Sequence, residues 1–455
     1  MTPFRSVNPT TEQLVREYPA HDAGQVESLL EQAQSAFGPW RSLGIAGRAP
    51  FISRVGQVLR ARRAELARLM TEEMGKLIGA AEAEVDKCAG CCDFFARSSG
   101  QFLADEAIGS DATRSYVRYD PLGAVLAIMP WNFPLWQVLR FAAPALMAGN
   151  VGLLKHAPNV PSCALAIETA FREAGCPAGV FAALLIDTPA VEAIIQHPAV
   201  RAVTLTGSER AGMAVAQQAG KSLKKTVLEL GGSDPFIVLK DVDIEPVARA
   251  AADARCINAG QSCIAAKRFI VERPIAGAFE KAFAAALARL VVGDPADRAT
   301  QVGPLARQDL LDNLAAQVQR SIAAGARLMV GGHPLPRQGY FYPPTLLAEV
   351  RAGMPAFDEE TFGPVAALVV AEDADDAVRL ANASKYGLGA SIWTHDMSLA
   401  ERLAGQIDAG CVFINGPVKS DPRLPFGGVK HSGYGRELSE AGIREFVNIK
   451  TVWVK

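Results

Sequence analysis

The spacing of apolar residues changes along the chain near residue 117. Before that point, apolar residues recur three and four positions apart, as in Val55, Val58 and Leu59, which is the spacing of one face of an α-helix. This spacing predicts amphipathic helices from residue 22 to about residue 100. After that point, short β-branched runs such as GAVLAIM, VGLLKH and AVTLTG alternate with helical stretches of about 10 to 15 residues.

The alternating region predicts a parallel β-sheet. Continuous apolar strands separated by helices are typical of a sheet that is covered by helices on both faces. Such a doubly wound, Rossmann-like unit binds its ligands at the carboxyl ends of its strands. A second α/β region, from about residue 235 to residue 430, contains the strand-like runs FIVL, KRFIVE, AALVV and SIWT. The predicted fold class is therefore α/β.

The C-terminal segment EFVNIKTVWVK predicts a β-strand outside these two regions. Its expected partner is the segment YVRYDPLGAV near residue 120. A two-stranded flap of this kind is marginally stable alone and favours cover from another chain. We therefore expect a homo-oligomer, either a dimer or a tetramer.

The composition is that of a soluble globular protein with two or three domains, because 455 residues are too many for one ordinary core. The formal net charge is −2 and no long basic run occurs, so we expect no surface for nucleic acid or for an anionic membrane. The N-terminus lacks an apolar signal core, and no run of 18 apolar residues is present. These features predict a cytoplasmic protein.

Three of the eight cysteines, Cys88, Cys91 and Cys92, have a spacing that resembles a metal site. The same spacing places three small side chains on one face of a helix, and no second Cys/His cluster completes a tetrahedral site. We therefore expect these cysteines to pack in a core, and we predict no metal site.

The segment Thr206–Gly212, TGSERAG, follows a predicted strand and opens a predicted helix. The free N–H groups of that helix, with Gly207 for close approach and Ser208 as a hydroxyl donor, would suit a phosphate. The usual G-x-G-x-x-G fingerprint is absent. A plain glycine turn with a capping serine is the alternative.

A carboxylate and a thiol are the strongest candidates for chemistry. Glu229 ends an apolar strand beside Gly231 and Gly232, and Cys263 follows 34 residues later in the polar segment GQSC. This pair fits a nucleophile with its base. The alternatives are a small buried cysteine and a strand-end carboxylate paired with Lys225.

Five motifs in register together resemble the aldehyde dehydrogenase superfamily, and the resemblance covers essentially the whole chain. Among its branches, the chain is most similar to short bacterial succinate-semialdehyde dehydrogenases through LLKHAPNV, WNFPLWQVLR and DPRLPFGGVKHSGYGRE. The five motifs are Pro130-Trp131-Asn132-Phe133-Pro134, Glu229-Leu230-Gly231-Gly232, Gly260-Gln261-Ser262-Cys263, Glu359-Glu360-Thr361-Phe362-Gly363-Pro364 and Pro425-Phe426-Gly427-Gly428-Val429-Lys430.

The resemblance implies three structural parts. A Rossmann-like NAD(P)-binding domain would comprise residues 1–106 and 126–230, and an α/β catalytic domain would comprise residues 231–435. Residues 107–125 and 436–455 would form the small β flap for oligomerisation.

The resemblance also implies catalytic roles. Cys263 would attack the aldehyde as a thiolate, in an environment that must favour the anion. Asn132 and the Cys263 backbone N–H would donate hydrogen bonds to the oxyanion. After hydride transfer to the nicotinamide, Glu229 would activate the water that hydrolyses the thioester to a carboxylic acid.

The cofactor is expected to be NAD, with NADP also accepted. Members that select NAD often carry a glutamate three residues after the lysine, and here that position is Pro158. The resemblance assigns Lys155 and Trp131 to the adenosine ribose and its surroundings, and Leu230 also to the cofactor site. It assigns Gly207 and Ser208 to the pyrophosphate, Glu360 to the nicotinamide ribose, and Phe362 to the ring.

For the substrate, the resemblance places Arg140 in the tunnel that leads to the nucleophile, with Trp136 and Ser420 completing it. An arginine suits a substrate that ends in a carboxylate, such as succinate semialdehyde. An exposed arginine on an amphipathic helix is the alternative. Some relatives use a second arginine six residues before the nucleophile, where this chain has Ile257, while Arg255 is expected to point elsewhere. No second cysteine follows Cys263 closely, so we predict no local disulfide switch.

Three other functions compete with this interpretation. An acylating, coenzyme A-dependent dehydrogenase would usually lack the glutamate that Glu229 supplies. A dehydrogenase for neutral, aromatic or betaine-like aldehydes would have no use for Arg140 as an anchor. A non-catalytic cofactor-binding protein would not need a nucleophile, a base and an oxyanion donor together.

Overall fold

The computed structural model describes residues 3–455 and begins with a hairpin followed by four helices. The helices confirm the predicted helical region, whereas the hairpin was not predicted. The second strand of the hairpin has mostly exposed side chains, and its sequence therefore lacks the apolar pattern from which a buried strand is predicted. These elements are β1 (Phe4–Val7), β2 (Leu14–Tyr18), α1 (Ala23–Ser42), α2 (Gly44–Ala61), α3 (Arg63–Met74) and α4 (Ile78–Phe102).

The next part contains the predicted doubly wound sheet. The strands run parallel in the order β9-β8-β5-β6-β7, and those at the centre are buried on both faces. These elements are β3 (Glu106–Ala107), β4 (Arg114–Pro121), β5 (Ala124–Met129), α5 (Trp136–Ala148), β6 (Val151–His156), α6 (Pro161–Glu173), β7 (Phe181–Ala183), α7 (Val191–Gln196), β8 (Val200–Thr206), α8 (Glu209–Lys221) and β9 (Lys225–Glu229).

The last part contains a seven-stranded sheet in the order β12-β13-β14-β11-β10-β16-β17, parallel except for β12. Four of its strands were predicted, and β12, β13 and β17 were not. The elements are β10 (Pro235–Val238), α9 (Ile244–Cys256), β11 (Arg268–Glu272), α10 (Ala276–Ala288), α11 (Gln308–Ala323), β12 (Arg327–Val330), β13 (Thr345–Ala348), α12 (Pro355–Asp358), β14 (Val365–Ala371), α13 (Ala374–Asn382), β15 (Tyr386–Gly387), β16 (Gly389–Trp393), α14 (Met397–Ala404), β17 (Cys411–Ile414), β18 (Val429–Lys430), β19 (Gly433–Tyr434), α15 (Ser439–Ile443) and β20 (Val447–Val454).

The C-terminal strand β20 pairs antiparallel with β4 from Val447↔Pro121 to Val454↔Arg114. The short strand β3 adds a third member to what was predicted as a two-stranded flap. The predicted domain boundaries stay predictions, although some elements cross them. Strand β5 begins at Ala124, inside the range assigned to the flap, and β19 pairs with β9 at the edge of the cofactor sheet.

Cys88, Cys91 and Cys92 are buried on α4 in the main core, as their helical spacing predicted. Across residues 3–455, no group of three or more His, Cys, Asp or Glu side chains is placed to hold a metal ion. Within the same range, no helix is both long enough and apolar enough to cross a membrane. All eight cysteines are free.

Candidate active site

The loop that carries Cys263 has an unusual backbone conformation. Asn258, Ala259 and Gly260 all have positive φ angles, of 54°, 55° and 74°. A non-glycine residue in this region costs about 1–2 kcal/mol. A Cβ at Gly260 would lie 2.2 Å from the carbonyl carbon of Gly363, so only glycine fits there. The GQSC and ETFGPV motifs, which are distant in the chain, are therefore in backbone contact at this point.

A buried lysine holds this loop from within. The Lys267 ammonium donates to the backbone carbonyls of Ser262, Cys263 and Ala265 at 2.9–3.0 Å. Three carbonyl acceptors satisfy all three donors of an ammonium group. Lys267 therefore fixes the backbone on both sides of Cys263.

Asn132 lies against the same loop, where the resemblance placed it. Its Nδ2 donates to the Gln261 carbonyl at 3.1 Å, and Asn258 Nδ2 donates to the Asn132 carbonyl at 2.8 Å. An amide nitrogen carries two hydrogens, so Asn132 keeps a second one for an oxyanion. The side chain is buried, which strengthens such a hydrogen bond.

Glu229 ends β9 and is buried. Its Oε1 has no hydrogen-bond partner in the described part of the chain. A Cβ at Gly427 would lie 2.7 Å from that oxygen, so the PFGG motif makes room for the carboxylate. The alternative of a pair with Lys225 is wrong, because Lys225 contacts Glu445 at 3.0 Å instead.

A second buried carboxylate, Glu437, influences Glu229. Burial raises the pKa of Glu229 well above its ordinary value, the negative charge of Glu437 raises it further, and Arg140 opposes both. Arg140 Nε and Glu437 Oε2 form a close ion pair. Neither Glu437 oxygen receives a directed hydrogen bond from residues 3–455, so this pair is a charge contact rather than a well-aligned hydrogen bond.

The surroundings of Cys263 differ from the sequence expectation that they favour the thiolate. Burial raises the pKa of the thiol to about 12, and the charges of Arg140 and Lys267 offset only part of this. This raised pKa favours the neutral thiol of Cys263 over the thiolate near neutral pH.

One cavity of about 370 Å³ opens next to Cys263. Its wall includes the N-terminus of α8, where Ser208 Oγ accepts a hydrogen bond from Ala211 N at 3.3 Å. The serine caps the helix, as the alternative interpretation held, and its O–H can still donate. Eight of the predicted residues line the cavity: Trp131, Asn132, Gly207, Ser208, Leu230, Cys263, Glu360 and Phe362.

The cavity fits a dinucleotide in its chemistry. The helix N-terminus offers positive potential to a phosphate, and Glu360 offers acceptors to ribose hydroxyls. Glu360 Oε1 accepts from Gly232 N at 3.0 Å and lies 3.8 Å from Lys267 Nζ. A Cβ at Gly231 would lie 2.4 Å from Glu360 Oε2, so that glycine makes space for the carboxylate.

Lys155 lies outside this cavity. It is the penultimate residue of β6, and it lines a separate cavity of about 370 Å³ with Arg5, Asn159 and Asp187. Neither polar atom of the Asn159 amide has a partner among residues 3–455. An orphaned amide beside a lysine suits a polar ligand such as a ribose.

The three predicted substrate residues lie close to one another. Trp136 and Arg140 are one turn apart on α5, and Trp136 Nε1 donates to Ser420 Oγ at 3.1 Å. Arg140 is buried, so the alternative of an exposed helical arginine is wrong. Arg255 donates to the carbonyls of Gly260 and Val365, and it therefore supports the backbone of the loop that precedes Cys263.

Sequence reasoning missed four residues of this site. Lys267 is the fourth residue after Cys263, so its closeness in the sequence could have indicated that it belongs to the site. The other three residues gave no such signal, because their contacts join distant parts of the chain. These residues are Lys87, Asn258, Lys267 and Glu437.

Comparison with known proteins agrees with this geometry. The model of the aldehyde dehydrogenase family matches residues 1–452. A protein of Synechocystis sp. named probable succinate-semialdehyde dehydrogenase (NADP+) is 51% identical over 449 residues, which cover 99% of each chain. A succinate semialdehyde dehydrogenase (NAD(P)+) of Escherichia coli is 50% identical over 448 residues, covering 98% of this chain and 97% of that one.

A solved structure of a related enzyme has the same fold. Succinic semialdehyde dehydrogenase from Streptococcus pyogenes, in complex with NADP+, has a TM-score of 0.97 and 36% identity, with 99% of each chain covered. The predicted resemblance and fold class are confirmed. The chain belongs to the aldehyde dehydrogenase family.

Proposed function

We propose that the protein oxidises succinate semialdehyde to succinate with NADP or NAD. The observation that carries this proposal is the single cavity into which Cys263, Asn132, Glu360 and the α8 N-terminus all open. Relatives of about half identity that are named for succinate semialdehyde support the choice of substrate. In the net reaction, aldehyde, water and NAD(P)+ give carboxylate, NAD(P)H and two protons.

Cys263 begins the reaction by adding to the aldehyde carbon. Its sulfur forms the new C–S bond, the S–H proton passes to water, and the carbonyl oxygen becomes an oxyanion. The spare Asn132 N–H and the Cys263 backbone N–H stabilise this charge. Removal of one such donor typically costs about 2.7–4 kcal/mol of transition-state stabilisation.

Bound NAD(P)+ would supply the acceptor for the hydride of the substrate carbon. Gly207 and Ser208 would hold the pyrophosphate, Glu360 would hold the ribose hydroxyls, and Trp131, Leu230 and Phe362 would provide the apolar wall. Lys155, in its neighbouring cavity, would hold the adenosine ribose. Pro158 leaves no acidic side chain at that position to repel a 2′-phosphate, although Asp187 lines the same cavity.

Glu229 completes the reaction by taking a proton from water. The water oxygen adds to the thioester carbon, the C–S bond breaks, and the Cys263 thiol and the acid are released. A carboxylate with a raised pKa is a stronger base, and the unpartnered Oε1 of Glu229 is free to accept that proton. The presence of Glu229 favours water over a coenzyme A thiol as the acyl acceptor.

An aldehyde panel tests the proposal. The purified protein is mixed with NAD or NADP and with succinate semialdehyde, butanal, benzaldehyde or betaine aldehyde, and reduced nicotinamide is followed by absorbance. The highest kcat/KM is expected with succinate semialdehyde. Flat traces with every aldehyde would refute the enzyme, and a better neutral aldehyde would refute the substrate.

We also propose that the protein is a homo-oligomer joined through the flap sheet of β3, β4 and β20. Ile449, Trp453 and Val454 on β20 are 63%, 49% and 40% exposed, which favours cover by a second copy. Analytical ultracentrifugation of the Trp453→Ser variant should show a smaller species.

A cytoplasmic location is supported by the eight free cysteines, which a reducing compartment preserves.

A further inference from the structure

We propose that Lys87 is a substrate-binding residue that, with Ser420 and Trp136, recognises the carboxylate of the aldehyde substrate. This inference rests on the proposed function and adds a residue that the sequence did not indicate. Lys87 lies on α4, which packs along α5.

Lys87 and Trp136 meet at the hydroxyl of Ser420. The Lys87 ammonium donates to Ser420 Oγ at 2.8 Å and lies 4.1 Å from the centre of the Trp136 indole. The indole N–H donates to the same oxygen at 3.1 Å. The ring face stabilises the ammonium while leaving further N–H donors free.

The Ser420 hydroxyl is left with an unused donor. A hydroxyl oxygen has two lone pairs, and here Lys87 and Trp136 occupy both. The hydroxyl hydrogen must then point to an acceptor, and among residues 3–455 none accepts it. An incoming carboxylate oxygen would satisfy both the O–H and the ammonium.

The charge balance singles out Lys87 over Arg140. The guanidinium of Arg140 is already paired with the Glu437 carboxylate, so that pair carries no net charge. Lys87 has no carboxylate within 4.0 Å in the described chain. The nearby acidic groups are taken, since Glu84 pairs with Lys76 and Asp421 pairs with Arg423.

The groups that face Lys87 explain its protonation. Burial and, to a smaller extent, the positive charge of Arg140 on α5 lower the pKa of Lys87 to about 8. Glu84 and the thiols of Cys88 and Cys91, all on α4, oppose this shift. A bound carboxylate would raise the pKa again, so substrate and proton bind Lys87 cooperatively.

Lys87 also accounts for a missing feature of the sequence. The position six residues before Cys263, where some relatives have a second arginine, is Ile257. A third cavity, of about 580 Å³, is lined by Ile257, Ile264 and Lys419, and the last two adjoin Cys263 and Ser420 in the chain. The positive charge that Ile257 does not provide is carried instead by Lys87 on α4, which contacts Ser420.

The test compares a carboxylated and a neutral aldehyde. Lys87→Met removes the charge and keeps the length of the side chain, while Lys281→Met makes the same change at an exposed position on α10. For Lys87→Met, kcat/KM with succinate semialdehyde should fall about 10- to 100-fold, mainly through KM, and kcat/KM with butanal should fall far less. Lys87→Arg should recover most of the loss.

A binding measurement separates recognition from catalysis. With butanal as substrate, succinate should inhibit the Lys87→Met variant more weakly than the wild type by a similar factor. In the wild type, KM for succinate semialdehyde should rise as pH increases above about 8, because Lys87 loses its proton. The Lys87→Arg variant should lack this rise, since arginine stays charged.

The outcomes distinguish this inference from the proposed function. A wild type that oxidises butanal as well as succinate semialdehyde refutes the substrate, whatever Lys87 does. A wild type that prefers succinate semialdehyde, with an unchanged preference in Lys87→Met, overturns the role of Lys87 alone. If Lys87→Met does not fold, Ser420→Ala must reduce the same preference, and an unaltered preference there overturns the inference.

Discussion

Glu229 and Glu360 are both buried carboxylates of the site, yet they have opposite surroundings. Glu360 accepts from Gly232 N and lies near the Lys267 ammonium, and both contacts oppose the rise of its pKa that burial causes. Glu229 has an unpartnered Oε1 within residues 3–455, and its neighbour Glu437 adds to the effect of burial. A carboxylate held by donors is suited to bind hydroxyl groups, whereas an unpartnered one is suited to exchange protons.

The largest effect is expected from the unpartnered carboxylate. Glu229→Gln should reduce steady-state turnover about 10²- to 10⁴-fold, because the variant lacks the base for thioester hydrolysis. Formation of the thioester should survive, so stopped-flow absorbance should show a burst of about one NAD(P)H per subunit. A variant with near-normal turnover would show that Glu229 is not the base.

A variant of Asn132 tests the addition to the aldehyde, which precedes the hydrolysis assigned to Glu229. Asn132→Ala should lower kcat about 10²- to 10³-fold through loss of an oxyanion donor, and it should show no burst, since addition to the aldehyde is already slow. Asn313→Ala, on the exposed face of α11, is the matched control. A normal burst in Asn132→Ala would place the oxyanion elsewhere.

The Glu360→Gln variant tests the carboxylate that is held by hydrogen-bond donors. Its KM for NAD(P) should rise about 10-fold, because a charged acceptor for the ribose is lost, and no thioester should accumulate. The control is Glu359→Gln, whose carboxylate pairs with Arg320 outside the cavity. Accumulation of thioester in Glu360→Gln would mean that the two glutamates share one role.

The smallest effect concerns pH. Glu229 works as a base only when deprotonated, so turnover should rise with pH through its raised pKa. Glu437→Gln removes a negative neighbour and frees the positive charge of Arg140, and both changes lower the pKa of Glu229. The rise of kcat should therefore move to lower pH by about one unit. A shift to higher pH would contradict the coupling between Glu229 and Glu437.

The sequence predicted the scaffold well because its signals are local. Buried parallel strands such as β5 and β6 are continuous apolar runs, and the glycine motifs mark places where backbones touch, as at Gly260. Strand β13, TLLA, was not predicted, although β10, which has the same length, was.

The charges of the site were less predictable because they depend on distant contacts. Nothing near Arg140 indicates that Glu437, almost 300 residues later, pairs with it. Lys87 lies on a long helix, and nothing near it in the sequence indicates that the fold brings Ser420 into contact with it. The sequence left the resting protonation state of Cys263 open, because burial of the thiol, which raises its pKa, depends on the whole fold.

Covalent catalysis by Cys263 is tested most directly by intact-mass and peptide mass spectrometry of the Glu229→Gln variant after mixing with succinate semialdehyde and NADP. An added succinyl group is expected on the peptide that contains Cys263. An unmodified Cys263 in an enzyme that still reduces NADP, or an acyl group on any other residue, would contradict it.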